Sequence, residues 1–263
     1  MMLASFQQAE LDGEDVGQGD ATVLSAGPGA AVVVDAGPDP APVDRCLREL
    51  GITRIPLVVL THFHADHVGG LSGVLRGRSV AAIETTGFAE PADQAESVRR
   101  EAAAHHIPLT TAAAGEERRA GPLTWRVLWP RPADPVPPDG PNDASITLLV
   151  HTAGLRLLLL GDLEPPAQRE LLLTPQAADL SHVDVLKVAH HGSAYQDPDL
   201  LHLTAPRLAL ISCGTDNPYG HPAPSTVAAL RSTGATVLRT DRDGALALTG
   251  TGGPRGGMKV MRD

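Results

Sequence analysis

The sequence predicts an α/β protein in which two β-sheets pack against each other and helices cover their outer faces. Apolar segments of strand length occur in runs in both halves of the 263-residue chain, with helical segments interspersed among them. A doubly wound nucleotide-binding sheet is not predicted, because neither GxxxxGK[ST] nor a strand-linked GxGxxG is present. Hydrophobic residues make up 42% of the chain but aromatic residues only 3%, so the core must consist of Leu, Val, Ile and Ala.

The first half of the chain alternates between strand-like and helix-like segments. One helix is predicted over 42–50, where apolar residues recur with a period near 3.6. A second is predicted over 91–106, where Pro91 suits the first helical position. Four apolar segments predict strands, namely ATVLSA (21–26), AAVVVDAG (30–37), IPLVVLTH (55–62) and VAAIE (80–84).

The second half repeats this mixture after a proline-rich segment. Six prolines in residues 130–141 predict a stiff loop between the two halves. One helix is predicted over 223–234. The predicted strands are ASITLLVHT (144–152), LRLLLLGD (155–162), DVLKVAHHGS (184–193), RLALISCG (207–214), ATVLRT (235–240) and GALALTG (244–250). We expect one domain over 1–250 and a flexible Gly-rich tail over 251–263.

The segment THFHADHVGG (61–70) concentrates residues that bind metal ions. It follows a continuous apolar run, LVVL, which predicts a buried strand. His62 and His64 are two apart, so in an extended segment they point to the same side, while Asp66 and His67 fall where a helix can start. Imidazoles and a carboxylate that converge at the end of a rigid strand suit Zn²⁺ or Mn²⁺. A polar turn is the alternative, but four such residues in six positions favour a metal site.

Two further strands end in residues of the same kind. LRLLLLGDLE runs into Asp162, and VDVLKVAHHGS ends at His190 and His191. Adjacent residues of a strand point to opposite faces, so we expect one of the two histidines to bind metal and the other to support it or face the substrate. Three apolar strands that each end in ligand-type side chains predict a dinuclear site.

Seven segments together give a more specific indication. They are DVGQGDA (15–21), VVVDAG (32–37), THFHADHVGG (61–70), NDAS (142–145), LLGD (159–162), LKVAHHGS (186–193) and NPYGHP (217–222). HFHADH matches the HxHxDH signature of the metallo-β-lactamase fold. The whole set, in this order and spacing, resembles the metallo-β-lactamase-like domain of the ComEC family of DNA-uptake competence proteins over about residues 15–250.

The resemblance implies a four-layer αββα sandwich with metal ions at the edge where the two sheets meet. It also implies a role at the outer face of the bacterial cytoplasmic membrane, where this domain would degrade the DNA strand that is not imported. In that family the domain follows a polytopic channel, so single-stranded DNA and a membrane channel are the expected partners. The segment before Asp15 departs from the family's apolar strand, and we expect the first strand to be short or displaced.

The resemblance also implies a set of metal ligands. His62 and His64 would bind one ion, Asp66, His67 and His191 a second, and Asp162 would bridge them. Asn142 stands where many members carry another His, which favours Mn²⁺ over Zn²⁺ at the first position. Two such ions would activate a water for attack on a phosphodiester.

Other residues are expected to support this chemistry. Asp66 would orient the water, and His221 is a candidate proton donor or phosphate contact. Asp35 would lie behind the ligand loop. Residues expected to support the ligands or face the substrate are Asp35, Asn142, Ser145, His190, Gly192, Ser193, Gln18 and Asp20. Of these, the backbone amides of Gly192 and Ser193 would bind a phosphate oxygen, and Gln18 and Asp20 would shape the rim of the cleft. Lys187 is expected to be a charge on the face of its strand.

The composition leaves other functions open. A formal net charge of −10 disfavours general affinity for nucleic acid. An enzyme acting on DNA should therefore gather cations around its cleft, with Arg76, Arg78, Lys187, Arg255 and Lys259 as candidates. A hydrolase of a small ester, lactone or phosphodiester and a catalytically silent gating module are the alternatives. The longest apolar run is too short to span a bilayer and no signal peptide is evident, so the chain as given is expected to be soluble. Cys46 and Cys213 are expected in the core.

Overall fold

The computed structural model describes residues 3–5, 19–131, 138–215, 217–251 and 257–262. The strands are β1 (Leu3–Ser5), β2 (Thr22–Gly27), β3 (Ala30–Val34), β4 (Arg54–Leu60), β5 (Ser79–Val80), β6 (Ile83–Thr85), β7 (Leu109–Thr111), β8 (Glu117–Ala120), β9 (Leu123–Trp129), β10 (Thr147–Thr152), β11 (Leu155–Leu159), β12 (Val185–Lys187), β13 (Leu208–Ile211), β14 (Thr236–Arg239), β15 (Leu246–Gly250) and β16 (Met258–Arg262). The α-helices are α1 (Pro40–Glu49), α2 (Ala65–Val68), α3 (Leu71–Leu75), α4 (Ala92–Ala104), α5 (Pro165–Leu172), α6 (Pro198–Thr204), α7 (Pro224–Ser232) and α8 (Thr240–Asp243).

The strands form two mixed sheets. The first has the order β16-β15-β1-β2-β3-β4-β6-β7, with β5 paired to β4. The second has the order β14-β13-β12-β11-β10-β9-β8. β1 has only three residues and lies between β2 and β15, so the first strand is short, as expected.

Side chains alternate along the strands between an inner and an outer layer, as the two-residue period of a strand requires. Val32 and Val34 of β3 point into a core between the sheets, together with Leu157 of β11. Val33 packs instead under the first-half helices, against residues such as Leu47 of α1. A third cluster lies between the second sheet and the helices α5, α6 and α7. These four layers confirm the predicted αββα sandwich.

The topology brings strand ends together at one edge of the sandwich. β3 is parallel to β4 in the first sheet, and β11, β12 and β13 are mutually parallel in the second. The carboxyl ends of parallel strands meet at the same edge of a sheet, and ligands bind there. At this edge Ile146 N–H donates to the Thr61 carbonyl at 2.9 Å, which joins the two halves of the chain.

Two predicted segments differ from the observed structure. The strand expected to continue through the double histidine ends at Lys187, and His190 and His191 have φ of 47° and 52° in a short 3₁₀ turn. Part of the segment 251–263, which was expected to be a flexible tail, forms the strand β16. This strand pairs antiparallel with β15. Met258 and Val260 pack on the core between the sheets, and this burial explains the extra strand. Residues 252–256 lie outside the described ranges.

No helix in the described ranges is both long enough and apolar enough to cross a lipid bilayer.

The contact between α3 and α1 gives a test of the fold near the site. A Cβ at Gly73 would lie 2.0 Å from the Pro40 carbonyl oxygen, so Gly73→Ala forces α3 away from the start of α1. We expect this change to lower the free energy of unfolding by about 1–3 kcal/mol, measured by urea denaturation. Gly140→Ala is the matched control, because no atom lies within 4 Å of a Cβ at Gly140. Equal midpoints for the two variants would contradict this packing.

Candidate metal centre

Four side chains from both sheets converge at the shared edge. Asp66 and His67 lie in α2, which begins directly after β4, while Asp162 follows β11 and His191 follows β12. One donor atom from each of the four lies within 4.8 Å of the others. His67, Asp162 and His191 are buried, and the Asp66 side chain is 31% exposed. Asp66 therefore forms the face of the cluster that solvent or a substrate can reach.

The two imidazoles aim their Nε2 atoms at the two carboxylates. His191 Nε2 lies 3.1 Å from Asp66 Oδ2 and 3.4 Å from Asp162 Oδ2. His67 Nε2 lies 3.3 Å from Asp162 Oδ2 and 3.7 Å from Asp66 Oδ2. Nitrogen and carboxylate atoms that face one another at these distances need a positive charge between them, either a proton or a metal ion.

The Nδ1 contacts of the same rings point to a metal ion. A carbonyl oxygen only accepts, so the 3.0 Å contact from His191 Nδ1 to the Ser212 carbonyl places a proton on Nδ1. His67 Nδ1 lies 2.9 Å from Asp35 Oδ2, which likewise accepts. In the neutral rings both Nε2 atoms then carry a lone pair. Within the described ranges, His67 Nε2 and Asp162 Oδ1 are buried without a hydrogen-bond partner. These two atoms each have a lone pair without a hydrogen-bond partner, so they suit ligands of a divalent cation.

The electrostatics of the cluster without a metal ion agree with this interpretation. Burial is the largest influence on His191 and lowers its pKa, but the charges of Asp162 and Asp20 outweigh it and raise the pKa to about 10. Burial also lowers the pKa of His67, and the surrounding carboxylates raise it well above the ordinary value. Burial raises the pKa of Asp162, but His191 and His67 hold it well below its usual range. Protons therefore take the place of the cation when no metal is bound.

Asp35 fixes the ligand loop from behind. It follows β3 and is 2% exposed. Thr61 donates to it twice, from its backbone N–H to Oδ1 at 2.7 Å and from its hydroxyl to Oδ2 at 2.9 Å. Together with the His67 contact, these bonds hold both ends of the segment 61–67. The carboxylate thus lies where the sequence predicted it.

His62 and His64 form a second pair of potential ligands. The Thr61 hydroxyl proton is used by Asp35, so His62 Nδ1 donates to that hydroxyl oxygen at 3.1 Å and leaves Nε2 as an acceptor. His62 Nε2 then lies 3.0 Å from His64 Nδ1. Ser145 supports this pair, because its hydroxyl lies 3.4 Å from His62 Nδ1 and accepts from Asp162 N–H at 3.1 Å. The described residues provide two ligand atoms here and four in the first cluster, so the dinuclear assignment stays a prediction.

Asn142 and His190 both contact Glu164, a residue that was not predicted to belong to the site. Asn142 Nδ2 donates to Glu164 Oε1 at 2.9 Å, and His190 Nδ1 lies 3.1 Å from the same oxygen. Glu164 follows Asp162 by two residues in the quoted segment LRLLLLGDLE. Its closeness in sequence to Asp162 is the signal that could have identified it. The Asn142 amide is therefore held by Glu164 and not by His62 or His64.

Three expectations about the surroundings differ from the structure. Asp20 is 3% exposed, so it does not shape the rim; it pairs at 2.5 Å with Lys187, which is buried and not a surface charge. The backbone N–H of Ser193 donates to the His190 carbonyl at 2.8 Å and is therefore not available to a phosphate. The role of the Gly192 amide stays a prediction; a Cβ at this position would lie 2.7 Å from Pro222 Cβ. Gln18 lies outside the described residues.

His221 lies beside the cluster. Its ring centroid is 5.5 Å from that of His190, which in turn is 6.2 Å from His191. Burial, followed by the charges of His190 and His191, lowers the pKa of His221. The ring is therefore neutral at neutral pH and available as a hydrogen-bonding group.

Comparison with known proteins places the chain among metal-binding relatives. Residues 15–214 match the family model of the metallo-β-lactamase superfamily. The chain is 31% identical over 200 residues to "ComE operon protein 3" of Bacillus subtilis (strain 168), covering 74% of this chain and 25% of that protein. It is also 31% identical over 217 residues to "Competence protein ComA" of Neisseria gonorrhoeae, covering 82% of this chain and 28% of that protein. The chain thus spans about a quarter of the length of these relatives.

A solved structure agrees on the fold. The metallo-β-lactamase fold protein YhfI from Bacillus subtilis superposes with a TM-score of 0.55 at 11% identity, covering 91% of this chain and 96% of that one. At this identity the likeness concerns the fold alone. The family match and the competence relatives confirm the resemblance found in the sequence.

The role of Asp35 can be tested through metal affinity. Asn tolerates the left-handed backbone of Asp35, whose φ is 60°, so Asp35→Asn should fold while losing the charge behind His67. We expect Zn²⁺ affinity to fall about 10- to 100-fold, measured by competition with a chromogenic chelator. Asp39→Asn is the matched control, since no hydrogen bond of the Asp39 side chain caps the following helix. Unchanged affinity in Asp35→Asn would show that this carboxylate does not support the metal centre.

Metal binding should also release protons. In the metal-free protein the pKa of His191 is about 10, so Nε2 holds a proton at pH 7.5 that a metal ion must displace. Apparent Zn²⁺ affinity should therefore increase with pH until it levels off above about pH 10. Calorimetric titrations in two buffers of different ionisation enthalpy would measure the release. Identical binding heats in both buffers would mean that no proton leaves and would contradict this account.

Proposed function

Because the chain belongs to the metallo-β-lactamase superfamily, most of whose members are metal-dependent hydrolases, we propose that it is a metal-dependent nuclease that cleaves phosphodiester bonds of single-stranded DNA during DNA uptake. The observation that carries the proposal is the cluster of Asp66, His67, Asp162 and His191, whose ligand atoms lie within 4.8 Å of one another and fit a divalent cation. Relatives named for competence support the link to DNA uptake. If it acts as a domain of such a protein, its place is the outer face of the bacterial cytoplasmic membrane, beside a membrane channel.

We assign the ligands in two groups. Asp66, His67 and His191 would bind one divalent ion, His62 and His64 would bind the other, and Asp162 would contribute to both. When bound, such a pair of ions lowers the pKa of a water and neutralises charge that develops on the phosphate oxygens. Mn²⁺ is favoured, because Asn142 stands where many members of the superfamily carry a further imidazole ligand, and Zn²⁺ is the alternative.

The chain's own groups orient the reactants. Asp66 is the cluster member that reaches the surface, so its carboxylate can accept a hydrogen bond from a water in the cleft. His221 stays neutral at neutral pH and can hydrogen-bond a phosphate oxygen or exchange a proton with the leaving group. Asp35 and the Ser212 carbonyl hold the rings of His67 and His191, so no ligand has to reorient during turnover.

Three of the cations expected to bind DNA are paired with carboxylates. Arg76 and Arg78 both pair with Asp44, at 3.4 Å and 2.9 Å, and Lys187 is buried against Asp20. Lys259 lies on the edge strand β16, and Arg255 is outside the described residues. Carboxylates therefore offset the charge of Arg76, Arg78 and Lys187, and contacts of another kind would help to hold a strand.

A cavity lined in part by Asp143 favours a second candidate function. About 650 Å³ of space opens beside Asp143, the neighbour of Asn142, and among the described residues its walls include Phe88, Trp129 and Arg169. A partly apolar cavity of this size suits a small organic ligand. The second candidate is therefore a hydrolase of a small ester, lactone or phosphodiester on the same metal centre.

One assay separates the two candidates. We expect end-labelled single-stranded DNA to be cleaved in the presence of Mn²⁺ and not with a chelator, because cleavage needs the metal centre. His64→Ala should reduce cleavage to the level of the metal-free protein. His202→Ala is the matched control, since His202 is an exposed imidazole on α6 and should leave cleavage intact.

The opposite result is equally informative. If folded, metal-loaded protein leaves the strand intact but hydrolyses small esters or lactones in a His64-dependent way, the nuclease proposal is wrong and the second candidate replaces it.

A further inference from the structure

Both tyrosines of the chain are exposed next to the metal centre. The chain contains only two, Tyr195 and Tyr219. Their exposed fractions are 69% and 71%, while the other aromatic side chains in the described ranges are buried or half-buried. A tyrosine ring normally buries its apolar body. Two exposed rings in a chain with 3% aromatic residues therefore need an explanation, and their position provides one.

Each tyrosine lies on a loop that also carries a histidine of the site. Tyr195 follows His191 by four residues, and Tyr219 precedes His221 by two. The two loops are joined, because Ala223 N–H donates to the Gly192 carbonyl at 2.8 Å. Movement of either tyrosine loop would therefore disturb the histidines.

Hydrogen bonds hold both loops in place. Asn217 donates through Nδ2 to the Gly214 carbonyl at 2.9 Å and to the His221 carbonyl at 2.6 Å, and it accepts from His221 N–H at 2.9 Å. On the other loop, the Ser193 hydroxyl accepts from Tyr195 N–H at 3.3 Å. Thr226 of α7 donates to the Ser193 carbonyl at 2.7 Å. These bonds hold the described backbone of both loops, and the two tyrosine rings that the loops present are exposed.

The rings form a row that leads to the cluster. Tyr219 stacks on His221 with a centroid distance of 6.0 Å and an interplanar angle of 20°. His221 lies 5.5 Å from His190, and His190 lies 6.2 Å from His191. His221, His190 and His191 contact one another edge to face, with interplanar angles of 68° and 70°, so a chain of ring contacts leads from the exposed Tyr219 to a ligand of the candidate metal centre.

We propose that Tyr195 and Tyr219 are a stacking platform for the unpaired bases of a single-stranded nucleic acid, which positions the neighbouring phosphodiester at the metal centre. This rests on the proposed nuclease function and names the contacts that bind its substrate. Stacking on aromatic rings needs no particular base and no cation. It therefore suits a chain with a net charge of −10 in which Arg76 and Lys187, two of the candidate DNA-binding cations, are paired with carboxylates. Bases within a duplex already stack on one another, so the platform selects single strands.

Binding of a strand with and without bases tests the platform. Fluorescence anisotropy would measure the affinity of Mn²⁺-loaded protein for a labelled oligodeoxyadenylate with phosphorothioate linkages, which resist cleavage. The comparison is an abasic strand of the same length. We expect Tyr195→Ala and Tyr219→Ala each to weaken binding of the base-containing strand about fivefold or more. Neither substitution should change the affinity for the abasic strand. Tyr→Phe at either position should retain the affinity for the base-containing strand.

A matched control and a cleavage assay keep the outcomes distinct. Leu173→Ala removes an equally exposed apolar side chain at the end of α5 and should bind like the unchanged protein. The platform is overturned if the double Tyr→Ala variant binds the base-containing strand normally, or loses the same affinity for the abasic strand. If the unchanged protein cleaves ordinary single-stranded DNA while the rings prove irrelevant, the nuclease proposal stands alone. If the rings are needed for binding but no cleavage occurs, base binding stands and the nuclease proposal fails.

Discussion

Buried acceptor atoms that face one another across the edge of the sandwich are the constraint on which the rest of the site depends. His67 and His191 direct Nε2 toward the carboxylates of Asp66 and Asp162, and three of these four side chains are buried. Burying a carboxylate costs several kcal/mol unless an opposite charge accompanies it. A divalent cation supplies that charge, and in its absence protons on the imidazoles do so. Metal binding would therefore offset the repulsion between the buried carboxylates and the Nε2 lone pairs that face them.

The surrounding structure keeps these atoms in place by bonding the opposite nitrogen of each ring. Asp35 binds His67, the Ser212 carbonyl binds His191, and the Thr61 hydroxyl binds His62. Each of these groups lies just beyond the end of a strand, where the backbone is fixed by the sheet. The buried pair of Asp20 and Lys187 packs behind His191 and ties the start of the first sheet to β12. The tyrosine loops are bonded to the same framework, through the Gly192 carbonyl and through Thr226 of α7.

The layers and the ligand cluster could be predicted because their signals are local. Short apolar runs mark the strands, and Asp66, Asp162 and His191 all follow such runs, whose ends meet at one edge. Other features depend on partners far away in the chain. Nothing near Lys187 indicates that Asp20 neutralises it, and nothing near His191 indicates the Ser212 carbonyl. The left-handed turn at the double histidine was also missed, since an apolar run followed by His-His predicts continued strand.

The most direct test of the account is to locate the bound ions. Crystals of the protein grown with Mn²⁺ or Zn²⁺ would be measured with X-rays on either side of the metal absorption edge, and the anomalous difference map would be calculated. The account predicts one peak among Asp66, His67, Asp162 and His191 and a second beside His62 and His64. A single peak in the first cluster would confirm a metal centre but contradict the dinuclear assignment. A fully metal-loaded protein with no peak in that cluster would contradict the account itself.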